Sequence, residues 1–235
     1  MSGFTKTLVI VLLCVPAWAG AKAVFESTFA KQDIALELDP ASAFWTAARP
    51  VYMEKDSFGK AVPRYRTEVR SRWTNDNLYF LFVCPYEQLN LKPEPNTRQE
   101  TNELWNWDVA EAFVGSDFTD IKRYKEFEVS PQGEWIDLDI NLYDPHHEDG
   151  WKWNSGFEVI AKIDRQKRVW YGAMRIPLAA IDRRPPSPGN TLRVNLFRSQ
   201  GPHEHLHEIT WQPPMSESFH VPERFGLLKL VSNEH

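Results

Sequence analysis

From Val24 onward the chain alternates apolar and polar positions with a period of two, and stretches at the 3.6-residue period of a helix are scarce. Residues 67–73 (TEVRSRW) alternate, the polar cluster Thr74-Asn75-Asp76-Asn77 turns the chain, and residues 78–84 (LYFLFVC) return as a buried strand. Residues 124–129 and 135–140 form a second hairpin around Pro131-Gln132-Gly133, with Ile136, Leu138 and Ile140 on one face and Asp137 and Asp139 on the other. Further strands are predicted at 109–114, 157–163, 169–176, 192–197 and 226–231, for roughly nine in all. Residues 178–181 after Pro177 are the one helical prospect, about a single turn. Repeated hairpins with almost no helix predict an all-β domain, an antiparallel β-sandwich of jelly-roll or immunoglobulin-like type. The Pro-rich loops 90–102 and 183–190 are too short to divide it, so residues 24–235 are read as a single domain.

The first 23 residues follow another pattern. Lys6 precedes the short apolar run of residues 8–15 (LVIVLLCV), and small residues stand at Ala17, Ala19, Ala21 and Ala23. This is the pattern of a secretory signal peptide cleaved after Ala19 or Ala23, and the run is far below the roughly 20 residues needed to span a bilayer. A secreted or periplasmic protein with no membrane attachment after cleavage is expected. Removal of residues 1–23, with Lys6 and Lys22, takes the net charge from −5 to −7, and Cys84 is then the one cysteine, read as a buried thiol at a strand end. An acidic chain with no basic stretch excludes nucleic acid as the natural partner.

Of the 235 residues 42% are hydrophobic, ordinary for a globular chain, but ten are Trp, beside seven Tyr and fourteen Phe. Trp73, Trp135, Trp170, Phe80, Phe82 and Phe127 fall within strand patterns and are expected in the core. Trp105, Trp107, Trp151, Trp153 and Trp211 sit at loop–strand junctions among Asn, Asp, Glu and Pro. Such rings can lie over the apolar C–H face of a pyranose while neighbouring polar groups pair with its hydroxyls.

Four segments sharpen that expectation. They are residues 103–113 (ELWNWDVAEAF), 127–133 (FEVSPQG), 194–198 (VNLFR), and the late pair Trp211-Gln212-Pro213 and 219–226 (FHVPERFG). In this order and spacing the chain, from about Phe44 to Val231, resembles the carbohydrate-binding module family 9-like domains, which are grouped with DOMON-like β-sandwiches. The resemblance implies a secreted, non-catalytic sugar-binding sandwich that in some members holds calcium and grips a glycan between two Trp side chains. Carried over residue by residue, Trp105 and Trp211 are the two walls, and Glu111, six positions after Trp105, bonds sugar hydroxyls. Glu208 stands three positions before the second Trp, where sugar-binding members carry a polar residue, and Asn195 and Arg198 match the strand motif. The resemblance also implies glycoside hydrolases as partners in polysaccharide catabolism.

Other chemistry competes for the same residues. His203, His205 and His207 alternate with Glu204 and Glu208, and in an extended segment the three rings would share one face, as a zinc-like ion requires; the preceding Gly201-Pro202 favours a solvated loop. Asp137, Asp139, Asp144, Glu148 and Asp149 offer the oxygen ligands that calcium prefers, at a spacing that matches no known loop. A glycoside hydrolase would need two carboxylates across a cleft, with Glu111 and either Glu128 or Asp108 as the candidates. A haem-binding DOMON-type domain would need axial Met or His ligands, and Met53, Met174 and Met215 carry no signature for that role.

Overall fold

The computed structural model describes residues 21–144, 151–202, 204 and 206–232. Most of the export signal, together with His203, His205, Glu148 and Asp149, lies outside the described residues. In chain order the elements are β1 (Val24–Phe29), α1 (Ala43–Thr46), β2 (Val51–Met53), β3 (Thr67–Trp73), β4 (Asn77–Pro85), β5 (Val109–Gly115), β6 (Arg123–Val129) and β7 (Trp135–Asn141). They continue with β8 (Glu158–Asp164), β9 (Val169–Pro177), α2 (Leu178–Ile181), β10 (Thr191–Gln200), β11 (His207–Thr210) and β12 (Gly226–Val231). Both hairpins form where alternation and turn residues place them, β3 with β4 and β6 with β7, and α2 is the single turn after Pro177.

The all-β expectation holds, but the purely antiparallel sandwich is corrected. One hydrogen-bonded sheet runs β7-β6-β5-β10-β12-β1-β3-β4-β9-β8, with β11 added to β10 and β2 to β3. Within this path β1 lies parallel to both neighbours, Val24 opposite Leu227 of β12 and Thr28 opposite Arg72 of β3. Hairpin signals report only antiparallel neighbours, whereas a parallel pair is joined by a long connection that leaves no local trace. Strand β1 thus links an antiparallel group β7-β6-β5-β10-β12 to another, β3-β4-β9-β8.

The two groups fold face to face over one core. Inward residues of β4 and β9 (Phe80, Phe82, Trp170, Met174) belong to the same buried cluster as those of β5, β6 and β10 (Ala112, Phe127, Leu196). Approach is close enough that a side chain on Gly172 of β9 would bring its Cβ to 2.9 Å from a methyl of Val129 on β6. Of the expected core aromatics, Trp73, Trp170, Phe80, Phe82 and Phe127 are buried, while Trp135 is partly buried against the same cluster. Cys84 is buried as expected, and burial pushes its thiol up to about 12.

Each group also has an outer face, and each is covered. Over β4 and β9 the covering comes from residues 34–45, whose Ile34, Leu36, Leu38 and Phe44 pack with Trp45 on Tyr79, Leu81 and Ala173. Over β5, β6 and β7 it comes from loops carrying Leu104, Trp151 and Phe225. This second outer face holds the candidate site.

Candidate functional site

Alternation along β5 turns Ala110, Ala112 and Val114 to the core and leaves Val109, Glu111 and Phe113 on the outer face. Antiparallel register then builds two rows across that face. In one, Ile136 of β7, Glu128 of β6, Glu111 of β5 and Phe197 of β10 are successive partners. In the other, Leu138, Glu126, Phe113 and Asn195 are. Above these rows lies a cavity of about 390 Å³, within the range of small-ligand sites. Its floor includes Glu111, Glu126, Phe113 and Leu138, and its rim includes Trp105, Trp151, Leu206, Glu208, Phe219 and His220.

The rim side chains are held from several directions. Trp105 is half-buried on a short 3-10 turn (Leu104–Asn106) that Leu104, fully buried, anchors to the sheet. Trp151 donates its indole N–H to the Asn141 carbonyl at 3.1 Å. Phe219 stacks on Phe197 at 4.2 Å between ring centres and 10° between planes. His220 shares a 2.7 Å hydrogen bond between its Nδ1 and the Tyr124 hydroxyl, and its ring stacks on Phe113. Glu208 accepts from the Ser57 hydroxyl.

The electrostatics of the floor are set by burial. Carboxylate oxygens of Glu111, Glu126 and Glu128 lie within 4.8 Å of one another, and all three residues are buried. Loss of solvent raises the Glu126 carboxyl to about 7. Glu111 is pushed well above the usual carboxylate range by burial and then by the Glu126 and Glu208 charges, and Glu128 by burial and then by Glu111 and Glu126. Both oxygens of Glu128 and Oε2 of Glu126 are buried with no hydrogen-bond partner.

Of the residues singled out in the sequence, the cavity gathers Trp105, Trp151, Glu111 and Glu208. Trp211 is placed elsewhere. It is 9% exposed within the core, 6.1 Å from the Phe25 ring, and it fits there because Gly226 has no side chain: a Cβ would lie 2.5 Å from the indole. Asn195 is buried and fastens the 211–213 segment to β10, donating to the Gln212 carbonyl at 2.8 Å and accepting from the Gln212 N–H at 3.1 Å. Arg198 points to the opposite side of β10, donating to the Thr67 hydroxyl at 2.9 Å and the Pro85 carbonyl at 2.7 Å. Both have the positions of structural groups. Of the remaining junction aromatics, Trp153 lies 4.3 Å under the Lys125 ammonium at a separate surface depression, and Trp107 does not line the cavity.

Of the competing constellations, the histidine triple and the acidic set fall partly outside the described residues. Asp137 is buried and accepts from the Ser155 N–H at 2.7 Å, while Asp139 pairs with Lys125. His207 is exposed on β11, its ring 4.6 Å from that of Tyr65. Asp108 accepts from the Gly201 and Asn90 N–H groups and from Gln200, away from the cavity lining; burial, partly offset by these bonds, raises it to about 6. Met53 and Met174 are fully buried in the core. Sequence reasoning missed Glu126, Phe219 and His220. The signal for Glu126 was present, since the hairpin register sets Glu126 and Glu128 opposite Leu138 and Ile136 and so on a face to be buried.

Comparison with known proteins agrees with this architecture. No protein-family model matches the chain. Over 170 residues it is 26% identical to a protein of Arthroderma benhamiae named "Extracellular protein", covering 66% of this chain and 70% of that one. A carbohydrate binding module family 9 from Caldicellulosiruptor kristjanssonii, solved in complex with cellotriose, superposes with a TM-score of 0.62 at 14% identity, covering 89% of this chain and 94% of that one. A Bacteroides uniformis protein described as carbohydrate-binding superposes with a TM-score of 0.68 at 15% identity, covering 89% and 100%. The fold of this chain is therefore that of carbohydrate-binding module family 9.

Proposed function

We propose that the cavity on the outer face of β5 and β6 binds carbohydrate, and that the protein does so outside the cytoplasm without chemistry of its own. The observation that carries this reading is one cavity of about 390 Å³ uniting a half-buried indole, Trp105, with the acceptors Glu111 and Glu208. An aromatic ring covers the apolar face of a pyranose, and carboxylates accept from its hydroxyls more strongly than neutral groups do. Phe219 on the same rim supplies a second apolar surface, the part assigned to Trp211 from the sequence alone. Capture of polysaccharide beside glycoside hydrolases is the role such a site would serve.

The hydrolase reading is disfavoured by geometry. Glu111 and Glu128 are direct cross-strand partners on one floor rather than groups facing each other across a bound sugar, and Asp108 does not line the cavity. Export rests on the signal pattern of residues 1–23 and on the name of the fungal relative. Among the described residues no helix is long and apolar enough to cross a membrane. Lys22 donates to the Phe225 carbonyl at 3.0 Å and the Ala23 carbonyl accepts from Leu227 at 2.9 Å, contacts that cleavage after Ala19 keeps and cleavage after Ala23 does not.

A glycan array tests the reading directly. The processed protein should retain a defined set of glycans, a Glu111→Gln variant should retain them weakly, and neither should release reducing sugar from a bound polysaccharide. An array without any bound glycan contradicts the reading, and sugar release abolished by Glu111→Gln replaces it with hydrolysis.

A further inference from the structure

We propose that Glu111, Glu126 and Glu128 form a binding site for one divalent cation of the calcium class beneath the cavity. The first observation is geometric. Three carboxylates on adjacent strands bring ligand oxygens within 4.8 Å of one another, and two oxygens that share a calcium ion at about 2.3–2.6 Å can be no more than about 5 Å apart.

The second observation is one of hydrogen-bond accounting. Glu128 is fully buried and Glu126 is 4% exposed, and among the described residues neither oxygen of Glu128 nor Oε2 of Glu126 meets a donor other than a proton the two carboxyls could share. Buried acceptors without donors are rare in folded proteins, and buried carboxylates without a counter-charge are more costly still. Among the described residues no basic side chain contributes to the electrostatic surroundings of any of the three, whereas Glu208 adds a further negative charge beside Glu111. Arg193, by contrast, is a buried charge whose guanidinium donates to the carbonyls of Asp117, Ile121 and Arg123.

The donor set selects the class of ion. All ligands are carboxylate oxygens, which suit calcium, magnesium or manganese rather than soft metals. An all-protein buried cradle favours calcium, because magnesium retains several waters. Glu111 and Glu126 line the cavity, which provides the path of entry. Glu111 is shared with the proposed sugar site, but the ligands are all the protein's own, so the cation can be tested with no sugar present.

The test is titration of the chelator-stripped processed protein with calcium by calorimetry, with terbium luminescence sensitised by the nearby indoles as a second readout. One ion per chain is expected, with a melting temperature several degrees higher in calcium. Glu128→Gln should weaken binding at least tenfold, yet melt no lower than the wild type when both are metal-free, since it removes a buried like charge. Should that variant fail to fold, Glu126→Gln carries the same comparison. Absence of binding by calcium and terbium overturns the proposal and leaves the three carboxyls holding protons in the ion's place. Binding with unchanged affinity in both variants overturns it as well, by placing the ion elsewhere. Glycan retention measured on the same stripped sample separates the two readings: intact retention without any cation site defeats this proposal alone.

Discussion

The outer faces of the folded sheet are covered in two ways. Over β4 and β9, residues 34–45 lay down a continuous apolar cover, and Trp45 is fully buried with its indole N–H on the Glu37 carbonyl at 3.0 Å. Polar groups at the margin of that face are matched: Arg72 donates to the carbonyls of Thr28, Phe29 and Phe44, and the Tyr79 hydroxyl donates to Asp33 at 2.8 Å. Over β5 and β6 the cover is a set of loops that leaves a cavity; Glu111 and Glu126 line it, Glu128 is buried beside them, and acceptors of Glu126 and Glu128 are unmet. The first face is what stability asks of a sheet. The second departs from it at one place, and such departures are where a binding site is expected.

Three experiments sharpen that contrast. The largest effect should come from the sealed face, where Trp45→Ala opens a cavity and should cost about 3–5 kcal/mol in chemical denaturation. Glycan retention should be untouched by it. If Trp45→Ala instead abolishes retention in protein that is still folded, the two faces are not independent.

Opposite pH slopes should follow. Carboxyls at the open floor have folded values raised above their unfolded ones, Glu126 from the usual 4.5 to about 7 by burial, so the folded state holds protons that the unfolded state releases. Their stabilising contribution is present below the unfolded value and is lost as pH rises through the folded one. Metal-free protein should therefore lose on the order of 2–3 kcal/mol between pH 5 and 8, at about 1.4 kcal/mol per unit. Glu126→Gln should flatten the profile. On the sealed side, burial pushes the Asp33 carboxyl up but hydrogen bonds from Thr74, Asn77 and Tyr79 outweigh it, so its folded value is lowered. That contribution is present at neutral pH and lost on acidification. Asp33→Asn should show this as the smallest of the effects, seen in the acid limb of a pH series of melting curves. A metal-free profile that rises toward pH 8 contradicts the account of the floor.

Much that is local was legible, though the Ser42-capped turn α1 was a second helical turn beyond the one expected after Pro177. Thr67–Trp73 with Asn77–Pro85, and Arg123–Val129 with Trp135–Asn141, carry their own alternation and turns, so their pairing could be read directly. Trp105 and Glu111 lie six residues apart on one turn and strand, and they do meet at one cavity. Less legible was anything decided by distant partners. The parallel seating of β1 depends on strands some 40 and 200 residues away along the chain, Thr28 beside Arg72 and Val24 beside Leu227. The burial of Trp211 depends on the missing side chain of Gly226 and on Phe25, neither of which a loop-like W-Q-P segment announces. Gly201-Pro202 favours a solvated loop for the segment that leads into β11, yet the backbone of β11 pairs with β10, His207 opposite Gln200. In β6, the face that carries Glu126 and Glu128 is covered by loops from three parts of the chain, a cover that no local pattern announces.

Calorimetric titration with a retained glycan, run in parallel on the wild type, Trp105→Ala and Trp45→Ala, tests the central claim that the open face is the binding face. Removing an aromatic anchor from a binding site typically costs about 2 kcal/mol, so Trp105→Ala should lower affinity more than about tenfold with little change in melting temperature. Trp45→Ala should bind as the wild type does while melting much lower. Unchanged affinity in Trp105→Ala would place the glycan elsewhere on the molecule and contradict the claim.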